Sequence, residues 1–235
     1  MKKEIISVSN AQTTLDTGRR DFLKLSGVTL ALAGLTLVGC EDEPIMDTNM
    51  VFDLGKGDVG ILNYAYALEQ LEADFYTKVV NNFYAGISSK EKELFTDLYH
   101  HEVIHRDFFK AAISGATTNV LPMLEFHYPN VNFNDRNSVL ATAKALEDTG
   151  VAAYNGAGKY ISNADYLVIA GKIVSVEARH AAAIRDLINP GSSDFSGDDV
   201  IDANGLDLAK EPSEIVPTAA GFIKTPFTWK EQGIQ

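Results

Sequence analysis

Along the 235-residue chain, apolar side chains recur with the 3.6-residue period of an α-helix in four stretches, and each stretch holds a glutamate inside its apolar stripe. One and two turns from Glu69 stand Leu62, Ala65, Tyr66, Ala73 and Tyr76, with Val80 a turn further on. Around Glu102 the same face carries Phe95, Leu98, Tyr99, Phe109 and Ile113, with Arg106 as the charged exception, and around Glu177 it carries Ala170, Ile173, Val174, Ala181, Ile184 and Ile188. The stripe around Glu147 (Leu140, Ala143, Val151, Tyr154) is interrupted by Lys144, Gly150 and Gly158, and its glycines are expected to allow close packing.

The turns between these helices set their heights. Ser88 to Glu91 has capping-box spacing before the second helix, and Ser162 to Asp165 offers a similar cap before the fourth. Glu69 lies 17 residues before Gly86 and Glu102 lies 16 after it, while Glu147 and Glu177 are each 15 residues from Ser162. Two antiparallel hairpins therefore bring all four carboxylates to one level. Residues 115–134, with Pro122 and Pro129, separate the hairpins. Twenty extended residues reach about 66 Å, enough to run back along a helix of about 40 Å. The expectation is an all-α four-helix bundle over residues 58–190, two hairpins joined by a long crossover. An irregular tail over 191–235 follows, pinned to the bundle by Phe222, Ile223, Phe227 and Trp229. In that tail Asp198, Asp199, Asp202 and Asn204 lack the spacing of a calcium loop.

The helices repeat as A, B, A, B. Ala67-Leu68-Glu69 and Ala145-Leu146-Glu147 are each followed by a tyrosine seven residues after the glutamate, Tyr76 and Tyr154, and both intervening helices carry Glu-x-x-His, as Glu102/His105 and Glu177/His180. Burying four carboxylates at one level costs several kcal/mol each, with mutual repulsion added. Two divalent cations would neutralise them, and Glu-x-x-His places a carboxylate and an imidazole on one helical face where both can hold one ion.

This pattern, one glutamate from each of two helices and Glu-x-x-His from each of the other two, looks like the di-iron or di-manganese carboxylate site of the ferritin-like superfamily. The wording around Glu69 and Glu147 is similar to ferritin-like proteins labelled desiccation-related or stress-related. The resemblance implies a ferritin-like bundle holding two metal ions, iron or manganese, with Glu102 and Glu177 bridging and Glu69, Glu147, His105 and His180 as terminal ligands. Glu72, one turn from Glu69, could replace it; otherwise Glu72, Tyr76 and Tyr154 stand behind the ligands. His100 and His101 are read as surface or supporting residues, and Asp148 as an exposed acid. No Cys-x-x-Cys exists for a rubredoxin-type relay, and no methionine falls in a core helix to ligate haem.

The N-terminus adds an address. Arg19-Arg20-Asp21-Phe22-Leu23 before the apolar run Leu25 to Gly39 resembles a twin-arginine export signal, with Gly18 in place of the usual Ser or Thr. Leu37-Val38-Gly39-Cys40 resembles a bacterial lipobox, in which Cys40, the only cysteine, would be lipidated. Residues 1–39 thus read as an export signal and 40–57 as a tether, placing the domain in the cell envelope on a lipid anchor. A net charge of -12 argues against nucleic acid as a partner. The expected partners are metal ions and a small oxidant, in a ferroxidase-like or peroxide-scavenging stress protein; the alternative is a non-catalytic scaffold that keeps its metals for stability.

Overall fold

The computed structural model describes residues 51–229. The export signal, Cys40 and most of the tether lie outside the described residues. Four long helices carry the fold: α1 (Gly57–Asn81), α2 (Ser89–Ala116), α3 (Arg136–Gly158) and α4 (Ala164–Ile188). α1 packs along α2 and α3 along α4, and contacts of α1 with α3 and of α2 with α4 close the bundle. Short turns join each pair, and residues 117–135 form the long crossover between them.

The α2 start is the expected capping box: the Glu91 amide donates to Ser88 Oγ at 3.2 Å and the Ser88 amide to Glu91 Oε2 at 2.9 Å. At α4 the cap is Asn163, whose Oδ1 accepts from the Asp165 amide at 2.8 Å. The Ser162 amide instead donates to Asp58 Oδ1 at 2.7 Å, tying the α3–α4 turn to the first turn of α1.

α1 is buried on nearly every side between Gly60 and Ala73, which its single apolar stripe does not announce. The covering layer is the crossover, held by polar side chains of α1. Asn63 Nδ2 donates to the carbonyls of Leu54 and Asn119 at 3.0 and 2.9 Å, and its Oδ1 accepts from the Leu121 amide at 2.9 Å. Two turns on, Gln70 Nε2 donates to the Pro122 carbonyl at 3.2 Å and its Oε1 accepts from the Leu124 amide at 2.8 Å. A further turn on, Asp74 Oδ2 accepts from the Tyr128 hydroxyl at 2.9 Å. Each contact satisfies a buried polar group that would otherwise cost about 1–3 kcal/mol.

The tail is more regular than its prolines suggest. Residues Pro212–Ala220 form helix α5, with Pro212 in the first turn, where a missing N–H costs nothing, and a reciprocal Glu211–Glu214 cap. Beyond it, strand β2 (Phe227–Thr228) pairs in parallel with β1 (Phe52–Asp53), so both ends of the described chain meet. Phe222, Ile223, Phe227 and Trp229 pack against the core as expected. Asp148 is no free acid. It grips the buried Arg185 through bonds of 2.8 and 2.7 Å, and Asp199 takes the same guanidinium at 2.9 and 2.9 Å, locking the tail onto α3 and α4.

Of the two α3 glycines expected to allow close packing, Gly150 meets the Glu72 carboxylate, whereas Gly158 has only a Leu167 methyl at 4.0 Å; the tightest approach is at a third, Gly156. At Gly156 the tail backbone crosses so near that an added Cβ would stand 1.8 Å from the Lys210 carbonyl oxygen. Gly156→Ala is therefore expected to destabilise the fold by about 1–2 kcal/mol, since overpacking of about 1–3 kcal/mol exceeds the gain of up to about 1 kcal/mol in helix propensity. Equilibrium unfolding of the variant against the parent chain measures it.

Candidate metal centre

The equal heights read from the turns are realised. Glu69 and Glu147 face inward from α1 and α3, Glu102 with His105 from α2, and Glu177 with His180 from α4. All four carboxylates are fully buried. Their donor atoms form two overlapping groups, each within 4.8 Å: Glu69, Glu102, His105 and Glu177, then Glu102, Glu147, Glu177 and His180. Glu102 and Glu177 belong to both.

Within each group the imidazole nitrogen stands close to all three carboxylates. His105 Nδ1 lies 2.8 Å from Glu177 Oε1, 3.4 Å from Glu69 Oε2 and 3.5 Å from Glu102 Oε2. His180 Nδ1 lies 2.8 Å from Glu102 Oε1, 3.3 Å from Glu177 Oε2 and 3.5 Å from Glu147 Oε2. Despite these approaches, both Nδ1 atoms and all six of those carboxylate oxygens lack a hydrogen bond of acceptable direction. Buried polar groups are otherwise almost always paired. Clustered, unpaired oxygens and nitrogens of this kind could hold a cation, and carboxylate and imidazole donors are of the type that iron and manganese accept.

What surrounds the cluster fixes its orientation. The Tyr76 hydroxyl donates to Glu147 Oε1 at 2.5 Å, and the Tyr154 hydroxyl donates to Glu69 Oε1. The tyrosine seven residues after each glutamate thus holds the glutamate of the other half, leaving Oε2 of both for the cluster. His101 Nδ1 meets His180 Nε2 at 2.9 Å, with the rings stacked. A proton on Nε2 of His180 would leave the Nδ1 lone pair facing the carboxylates, the arrangement a metal-binding imidazole needs. Partial burial, then the charge of His180 and His105, lowers the His101 pKa, which favours the neutral ring as an acceptor. His100 stays exposed beside Tyr99.

Glu69, held by Tyr154, stands in the cluster; Glu72 stands one turn away, buried, with its carboxylate against Gly150. The remaining surprise is a negative one: nothing local in the sequence separated His101, which touches His180, from His100, which does not.

A helical bundle with two pseudo-equivalent hairpins and a buried carboxylate–histidine cluster at mid-height defines a class of bundle able to hold metal in its core. A family model described as a ferritin-like domain matches residues 57–190, more than half of the chain, and the protein belongs to that family. A search of curated proteins found no match to the chain.

Without a cation, the cluster is electrostatically strained. Burial, with neighbouring carboxylates, pushes Glu102 up to about 8 and Glu147 up to about 7 from the ordinary 4.5. Burial would raise Glu177 as well, but the two imidazoles beside it win and hold it at about 2. For His105 the surrounding carboxylates outweigh burial and lift it to about 12 from 6.5; His180 rises for the same reason. Glu102 and Glu147 titrate higher folded than unfolded, so their ionisation weakens the metal-free fold as pH rises from 4.5 through about 8. His105 stabilises fully below 6.5 and loses that contribution as pH climbs toward about 12. Both act the same way between pH 6.5 and about 8: the metal-free fold strengthens as pH falls. A cation competes with the same protons, so its stabilising effect shrinks over that descent. Melting midpoints with and without divalent metal should converge from pH 8 to 6.5, and a metal-induced gain constant in pH would remove these side chains from the binding set.

Proposed function

We propose that the protein is an exported, lipid-anchored two-metal carboxylate protein of the cell envelope that reacts with oxygen or peroxide in stress protection. The observation that carries this reading is the pair of overlapping donor groups sharing Glu102 and Glu177, with every inward atom unpaired. Glu102 and Glu177, common to both groups, would serve both ions, with Glu69 and His105 holding one and Glu147 and His180 the other. Held there, two Fe(II) or Mn(II) ions would supply the two electrons that, with two protons, take hydrogen peroxide to two waters.

The protein's own residues prepare that chemistry. Tyr76 and Tyr154 hold the terminal glutamates from behind, and His101 fixes the ring of His180. Core side chains exclude bulk water, which strengthens each charge interaction within the site. Beside Tyr154 an apolar cavity of ≈ 50 Å³, with walls from Leu62, Ala65, Phe109 and Ile169, suits a small uncharged oxidant. Aerobic Fe(II) oxidation and peroxide consumption by the full chain test the reading; a metal-loaded protein inert to both would favour the scaffold alternative.

Glu102→Ala and Glu177→Ala are each expected to abolish loading at both positions, because a bridging carboxylate serves both ions, while His105→Ala acts more mildly. Elemental analysis of the purified variants decides it, and loss of a single ion per chain would refute bridging. For the anchor, Cys40→Ala should release the protein from membranes, and intact mass of the mature chain should show a lipidated residue 40. An unmodified Cys40 on the mature protein would exclude the anchor.

A further inference from the structure

Glu72 is buried to 3 % exposure and makes no hydrogen bond or ion pair with any of the described residues. It sits one turn from Glu69 on α1, and the charges of Glu102, Glu147, Glu177 and Glu69 all bear on it. Its carboxylate lies on the surface of α3 at Gly150, where an added Cβ would stand 3.0 Å from Oε1. Position 150 follows Glu147 as position 72 follows Glu69, so here the internal repeat is broken into a glutamate and the glycine that makes room for it. A glycine inside a helix costs about 1 kcal/mol relative to alanine. An unpaired buried carboxylate costs more. Stability explains neither residue.

The carboxylate borders a cavity of ≈ 20 Å³ beneath α5, whose walls include Leu146, Thr149, Gly150 and Thr218. That is room for about one water-sized particle. Leu68, Leu71 and Ala219 complete the walls, and three polar side chains border the cavity: the exposed Thr218, the half-buried Thr149 and the buried Glu72. The cavity beside Tyr154 has almost wholly apolar walls and offers a cation no ligand.

We propose that Glu72 is a transfer ligand, taking divalent cations from the cavity under α5 and passing them to the carboxylate cluster, so that the seam between α1, α3 and α5 is the route by which the centre fills. This rests on reading the cluster as a metal centre. The role is kinetic: Glu72 speeds filling and is absent from the final coordination, in which Glu69 already occupies the α1 place.

Stopped-flow mixing of the metal-free full-length chain with Co²⁺, followed by Co²⁺ absorption and then elemental analysis, separates rate from final content. Glu72→Gln is expected to slow filling about tenfold or more, the scale on which outer carboxylates act on metal sites, while the final Co²⁺ content matches the parent. Thr149→Leu, which narrows the cavity and leaves every carboxylate in place, should slow filling as well, and it carries the test alone if Glu72→Gln does not fold. Unchanged filling rates overturn the route. A lower final content in Glu72→Gln also overturns it, by making Glu72 a resident ligand. A parent chain that binds no Co²⁺ sinks the metal-centre reading itself, a result distinct from either.

Discussion

Four carboxylates buried at one level are the constraint on which the rest of this structure depends. Hydrophobic packing alone does not tolerate them: each costs several kcal/mol when unpaired, and together they repel. The helices meet that constraint by geometry, with turn-to-glutamate spacings that align all four groups at mid-bundle. Two imidazoles lend positive charge when no cation is present, and two tyrosines and His101 hold the outer atoms in place. The site is therefore not an addition to a finished bundle. It dictates the lengths and levels of the helices around it.

The second layer of structure keeps that arrangement closed. Asn63, Gln70 and Asp74 hold the crossover along α1, and the Asp148–Arg185–Asp199 cluster holds the tail along α3 and α4. α1 is thereby sealed on sides that a bare four-helix bundle leaves to solvent. Under α5 a small cavity remains, walled mainly by leucines and alanine, with Thr149, Thr218 and the buried Glu72 as its polar side chains.

The helices and the clustering of Glu69, Glu102, His105, Glu147, Glu177 and His180 were legible because both follow from period and spacing along the chain. Capping at Ser88 was legible for the same reason, since a cap involves residues only three apart. The clamps were not. Asp148 meets Arg185 37 residues later and Asn63 meets the Leu121 amide 58 residues later, pairings with no local signature. α5 was hidden because Pro212 reads as a breaker unless its place in the first turn is known. Gly150 and Gly158 drew attention as irregularities of the α3 stripe, but only the three-dimensional structure shows that Gly150 admits a carboxylate, that Gly158 meets nothing close, and that Gly156 admits the tail backbone.

The crossed tyrosines carry a consequence for how such a protein comes apart and how one could arise. Each hairpin supplies the hydroxyl that steadies the other hairpin's glutamate, so neither half is a working unit in isolation. Two identical copies of a single hairpin, related by a two-fold axis, would satisfy the same contacts. The internal symmetry is the imprint that duplication and fusion of such a half would leave, and the Glu72–Gly150 pair is a place where the two halves differ.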